Sequence, residues 1–111
     1  MNYSTGMIIW LDDIRPVPDE YIFDRREVIH TYSVNGTKSA IQLYAQAGIT
    51  DFLLDLDHDL GDYAADGGDG IKLILWLIET ERNNRHYQIK LHTMNPVGRD
   101  NMKSLIDRYW S

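Results

Sequence analysis

Cysteine is absent from this chain of 111 residues. That absence excludes a disulfide framework, a thiolate zinc site, an iron–sulfur cluster and a cysteine nucleophile. It fits a reducing compartment, so the expectation is a cytoplasmic protein. Long apolar runs are also missing, since none approaches the ~20 residues that a membrane-spanning helix needs. No membrane partner is therefore expected. The opening MNYSTGMIIW has no basic stretch ahead of an apolar one, so no secretory leader is expected either. Positive charge is scarce, with 11 Lys and Arg against 17 Asp and Glu and a formal net charge of −6. Such a chain repels the phosphate backbone and should not bind DNA or RNA non-specifically. A small anionic ligand fits only where positive residues or a cation are focused on one pocket. There is no internal repeat, low-complexity tract or linker, and the length makes residues 1–111 a single domain.

What is present is a hydrophobic fraction of 43%, enough for one core, with a periodicity that changes along the chain. Residues 7–12 (MIIWLD) form a short apolar run ending in acid, which reads as a buried strand. Residues 14–24 carry Pro16 and Pro18 and read as a loop with at most one helical turn. Residues 26–33 (REVIHTYS) predict a second, outer strand. Thr37 is the expected N-cap of a helix that Gly48 closes. Residues 51–57 (DFLLDLD) predict a third strand, again ending in acid, followed by a Gly- and Asp-rich loop over 58–69. The spacing predicts a helix over 70–84, a fourth strand over 87–93, and a last helix running to about Tyr109. Asn95 caps that last helix, Pro96 takes its first position, and Met102, Leu105, Ile106 and Tyr109 face inward. Strands alternating with helices over short connections predict an α/β fold with right-handed crossovers and a mostly parallel sheet.

In such sheets a ligand sits beyond the carboxyl ends of the strands. Polar residues gather there: Asp12, Asp13 and Arg15 after the first strand, Asp57, His58 and Asp59 after the third, and His92, Thr93 and Asn95 after the fourth. Asp55 stands two residues ahead of Asp57. Carboxylates crowded at ~4 Å repel by roughly 4 kcal/mol per pair at an effective dielectric near 20, so they need a cation, a shared proton or Arg15. Asp12, Asp13, Asp57 and Asp59 offer oxygen ligands suited to magnesium or manganese, or else they cap turns. His58 and His92 are placed to flank one phosphate, one as base and one as acid, with Arg15 holding the phosphate oxygens. Removing His92 is then expected to stop the chemistry at little cost to the fold. The free helix start at Asn95 is a natural anion seat. Tyr63, in the polar loop, is the aromatic placed to stack a base, whereas Trp10, Trp76 and Trp110 read as packing residues and His30 and His86 as ordinary strand and loop residues.

Three of these segments, LDDIRPVP (11–18), LDHDLG (56–61) and HTMNPVG (92–98), followed by Asn101 and Met102, resemble the cyclic-phosphate-processing receiver-like domain family. That family is a divergent relative of response-regulator receiver domains. The resemblance spans nearly the whole chain. It implies a small flavodoxin- or receiver-like three-layer sandwich with a four-stranded sheet in the order 2-1-3-4. The first helix would be short or absent and the fifth strand missing. It points to Asp12, Asp13 and Arg15, to Asp57, His58 and Asp59, and to His92 and Asn95. Thr93 stands where the family usually has serine. No fifth strand with its lysine follows the last helix, which counts against phosphotransfer signalling, and either Asp55 or Asp57 takes the place of a receiver's phosphoacceptor.

The expected function is that of a phosphoesterase acting on a cyclic phosphate of a nucleotide or RNA end. His58, His92 and Asp57 would be catalytic. Arg15, Asn95, Thr93 and Tyr63 would bind substrate, and Asp12, Asp13 and Asp59 would hold a magnesium or manganese ion. The alternative is a protein that sequesters a cyclic nucleotide without turnover, as some phage-encoded proteins do. The expected partner in either case is a small nucleotide or cyclic phosphate.

Overall fold

Strand β1 (Gly6–Leu11) is buried at every position because it runs through the middle of the sheet, with β2 (Glu27–Thr31) on one side and β3 (Asp51–Leu56) on the other. Strand β4 (Tyr87–Leu91) lies outside β3, which gives the order β2-β1-β3-β4 with every pairing parallel. The computed structural model describes residues 6–110. Between the strands lie α1 (Asp19–Ile22), α2 (Val34–Gln46), a 3-10 turn (Gly61–Ala65) and α3 (Ile71–Glu79), and α4 (Pro96–Tyr109) follows β4. This is the receiver-like α/β fold that the motifs imply.

Strand side chains alternate between the two faces of the sheet. Met7, Ile9 and Leu11 on β1 and Phe52, Leu54 and Leu56 on β3 share one face, and α2, α3 and α4 cover it with Val34, Ile41, Leu73, Ile74, Leu77 and Met102. Full burial of each such aliphatic side chain contributes about 1.5–3 kcal/mol. The opposite face holds a smaller cluster of Ile8, Trp10 and Tyr21, flanked by Val17, Val28 and Leu53. Among the described residues, the segment leading from β1 into the single turn of α1 is what covers it, with the His92 ring laid on Trp10 at its edge. The third layer is thus present but thin. Among the described residues no helix is long and apolar enough to cross a membrane.

Several element boundaries differ from the sequence expectation. The N-cap of α2 is Ser33, whose Oγ accepts from the Gly36 amide at 3.0 Å. Thr37 lies one turn inside, buried, donating its hydroxyl to the Ser33 carbonyl and meeting the Thr31 hydroxyl. A Ser–Thr pair four residues apart offers two capping side chains, and the end of β2 selects the first. Gly48 does follow α2, at φ +100°. Helix α3 stops at Glu79, five residues before 84, because Glu81 adopts φ +58° and the amides of Glu81 and Arg82 turn back to the carbonyls of Ile78 and Leu77. That is a Schellman ending without its usual glycine, so no stop signal is legible at that point of the chain. Strands β2 and β4 are shorter than 26–33 and 87–93. Asn95 caps α4 through the Gly98 amide at 3.0 Å, with Pro96 at the first position. Met102 is buried and Leu105 and Ile106 pack on the core, but Tyr109 is exposed. Trp110 folds back in its place and donates Nε1 to the Tyr87 carbonyl at 2.8 Å.

Candidate functional site

A cavity of about 480 Å³ opens at the C-terminal edge of the sheet, lined by Asp12, Asp13, Ile14, Arg15, Asp57, Asp59, Gly61, Thr93, Met94 and Asn95. Its wall comes from the three connections that leave β1, β3 and β4. Each departs at the level of its neighbours because the parallel register is continuous: Leu11 pairs with Leu56, and Leu56 with Leu91. Segments remote in number therefore converge. Four carboxylates face one guanidinium across this space.

Asp12 is 1% exposed, and its carboxylate is fully engaged. Oδ1 accepts from the amides of Ile14 and Arg15 at 2.8 Å each, folding the loop around it. Oδ2 meets His92 Nε2 at 2.9 Å. Burial alone would push this carboxyl up, but the two amides and His92 together hold it below its usual range. His92 Nδ1 lies 2.7 Å from Asp55 Oδ1, so the imidazole bridges two buried acids. Burial pulls its pKa down, yet the hydrogen bonds and charges of Asp55 and Asp12 outweigh that and raise it above the ordinary histidine value. The ring also stacks flat on Trp10, with centroids 3.7 Å apart and 7° between planes. An imidazolium on an indole face gains a cation–π attraction as well. Asp55 completes its bonding with the Tyr21 hydroxyl at 2.5 Å, and burial next to that carboxylate drives the phenol pKa up.

Asp57 lies just beyond β3 and lines the cavity, whereas Asp55 lies inside the strand and is committed to His92 and Tyr21. Of the two, Asp57 is the one that stands just past the strand end on the cavity wall. Its Oδ1 accepts from the His58 amide at 2.8 Å. Burial, and after it the negative charge of Asp12, raises its pKa despite that bond and one from Thr93. Asp13 lines the cavity with no hydrogen bond to its carboxylate among the described residues.

Neither histidine is on the cavity wall. Each is bonded to a carboxylate that is. His92 reaches the cavity through Asp12, and His58 through Asp59, its Nδ1 lying 2.8 Å from Asp59 Oδ1. Asn95 Nδ2 donates to both Asp59 oxygens at 3.2 Å, and these partners hold the Asp59 pKa down, His58 first. The His58 ring is pressed against the first turn of α4, where a Cβ on Gly98 would stand 2.5 Å from Cγ. Only glycine at 98 allows that approach. Arg15 donates Nη1 to the His92 carbonyl at 3.3 Å, and its own carbonyl accepts from Trp10 Nε1 at 2.9 Å. The structure therefore brings together nine of the ten sequence-predicted site residues, seven on the wall and the two histidines behind it. Tyr63 is the exception, exposed two residues beyond Gly61.

Oxygen atoms of Asp12 and Asp57 and a ring nitrogen of His92 all lie within 4.8 Å of one another. Hard oxygen donors, one carboxylate without a partner and another whose ionisation is opposed by its neighbour suit a divalent cation of the magnesium or manganese type. Sequence reasoning missed Trp10, Tyr21 and the structural role of Asp55. The signal that carries them is period-two alternation: Trp10 with Asp12, Asp55 with Asp57, and Lys90 with His92 fall on the same face. His30, expected to be an ordinary strand residue, places Nε2 2.7 Å from the Asp12 carbonyl and helps to fix the loop.

Comparison with known families matches residues 7–108 to the cyclic-phosphate processing receiver domain. No curated protein and no solved structure matches the chain. With the match extending over nearly the whole sequence and the same three loops building the cavity, the chain belongs to the cyclic-phosphate processing receiver domain family.

Proposed function

We propose that this protein is a phosphoesterase that hydrolyses a cyclic phosphate of a nucleotide or RNA end, with a divalent cation bound in the acidic cavity. The observation that carries this reading is the pairing of each imidazole with a wall carboxylate of one cavity, His58 with Asp59 and His92 with Asp12. Asp13 and Asp57, with Asp12 beside them, would hold magnesium or manganese, which supplies positive charge to neutralise the phosphoryl oxygens. Without a cation, four carboxylates would repel the substrate. Arg15, which spends only Nη1 on the His92 carbonyl, would hold the remaining phosphate oxygens, with Thr93 and Asn95 bordering the same space.

The reaction adds one water across one ring P–O bond. The Asp59–His58 pair takes the proton from the water as its oxygen bonds to phosphorus. The ring P–O bond breaks, and the departing oxygen takes a proton from His92 through Asp12. His92 is suited to the acid role because its two carboxylate partners raise its pKa above the ordinary histidine value. The product is a phosphate monoester. Proton exchange with solvent returns the pair to its starting state.

One observation favours a second reading, capture without turnover. Both ring nitrogens of His92 are already bonded to carboxylates, so the imidazole is held where it is. Incubation of the purified protein with a panel of cyclic nucleotides, with and without magnesium, separates the two. Catalysis predicts a monoester product on chromatography, magnesium dependence, and a loss of about 100-fold or more in H58A, since acid–base groups contribute roughly that much. Recovery of only intact nucleotide on heating the complex would establish sequestration instead.

A further inference from the structure

The cavity offers a guanidinium and carboxylates to a phosphate and its cation, but no aromatic ring is on its wall among the described residues. Beside it, three aromatic rings form a step at the end of β2. His30 and Tyr32 stack with centroids 4.1 Å apart and 18° between planes, and Tyr63 lies 5.7 Å beyond Tyr32 at 33°. These rings do not serve the core, because Tyr32 is 45% and Tyr63 46% exposed.

The step joins the cavity at two points. His30 Nε2 is bonded to the carbonyl of Asp12, a wall residue. Gly61 is itself on the wall and starts the turn that carries Tyr63. It adopts φ +54°, and a Cβ there would stand 2.7 Å from Asp13 Oδ2, so glycine lets the turn close against the acidic wall. The far end of the same turn is tied down as well. Asp66 accepts from Ser33 Oγ at 2.8 Å and Asn35 Nδ2 at 3.1 Å, and its carbonyl accepts the Asn35 amide at 3.1 Å. Those bonds attach the Tyr63 turn to the start of α2, immediately after Tyr32. Both tyrosines are thereby ordered in advance, which lowers the cost of binding.

We infer that His30, Tyr32 and Tyr63 form a stacking platform for the base of a nucleotide whose phosphate occupies the adjoining cavity. This rests on the phosphate reading above and narrows it. The substrate carries a nucleobase, and a sugar cyclic phosphate without one binds more weakly. Every base has a π-face, so the platform prefers bases over their absence rather than one base over another.

The test is a titration of the full chain, with magnesium present, by a cyclic nucleotide and separately by ribose cyclic phosphate. NMR follows the amides of Thr93 and Asn95 and the ring signals of Tyr32 and Tyr63. The expected result is that both compounds shift the amides while only the nucleotide shifts the rings. Y32L and Y63L should each weaken nucleotide binding about 10-fold, as loss of one stacking partner does, and leave the ribose compound unaffected. If both compounds move the amides and neither moves the rings, the platform is wrong and the phosphate reading stands. Ring shifts without amide shifts would sink the phosphate reading and keep the platform. If neither compound moves either set, both ideas fall.

Discussion

The two faces of the sheet are held by different physics. The face under α2, α3 and α4 carries a cluster of thirteen buried hydrophobic side chains, with the hydroxyls of Thr31 and Thr37 bonded to each other at its β2 edge. The face under the short α1 segment has three buried apolar residues, Ile8, Trp10 and Tyr21. What else is buried at its C-terminal end is polar: Asp12, Asp55 and the largely buried His92, bonded to one another and to the Tyr21 hydroxyl. Burial of hydrocarbon is indifferent to pH and to ions. A histidine between two buried carboxylates is not. Thin cover therefore marks the side of the domain where charge can be rearranged, and the cavity opens at that edge.

The sharpest way to break this comparison is a pair of variants, H92A and L54A. Removing His92 leaves two buried carboxylates facing each other and is expected to cost about 3–5 kcal/mol. This replaces the expectation of little loss of stability, because the imidazole bridges two buried carboxylates as well as being a candidate acid. L54A creates a cavity under the helices and is expected to cost about 2–5 kcal/mol. The two should then diverge with pH. The folded-state pKa of His92 is raised, so its contribution is fully present below the unfolded value and is lost as pH rises through the folded one. Asp12 is shifted down, so its share appears above its unfolded value and is lost only as pH falls through the lowered one. Urea melts across neutral to mildly alkaline pH should show the H92A deficit shrinking and the L54A deficit constant. Equal pH dependence in both would refute the division between faces.

A smaller effect is expected at Asp57. D57N removes a carboxylate whose ionisation is opposed by burial and by Asp12, so the variant should melt slightly higher than the parent without added metal. Magnesium should raise the melting temperature of the parent and not of D57N, because binding to the folded state alone stabilises it. Thermal melts with and without magnesium check both points, and an equal magnesium response in the two proteins would remove the cation from the acidic cavity. The smallest effect is predicted for F23S. Phe23 is 86% exposed at the end of α1, and its replacement should change stability by less than about 0.5 kcal/mol. A larger loss would mean that the thin face is better covered than its burial indicates.

Much of this arrangement is determined by local sequence. Four apolar runs alternating with helical patterns dictate the parallel sheet, because the central strands must bury both faces and each crossover must turn with the same right hand. Acids at the ends of 7–12 and 51–57, and the His-Thr-x-Asn-Pro stretch after the fourth strand, are legible as site residues because they interrupt apolar runs at their carboxyl ends. Tertiary structure alone decided which of those side chains reach open space. It set His58 and His92 behind carboxylates rather than in the cavity, chose Asp57 over Asp55 for the wall, and laid Tyr32 against Tyr63 across thirty-one positions of chain. The reason is register. Which atoms meet across three parallel strands depends on a shared level fixed by backbone hydrogen bonds between distant segments, and no single segment carries that information.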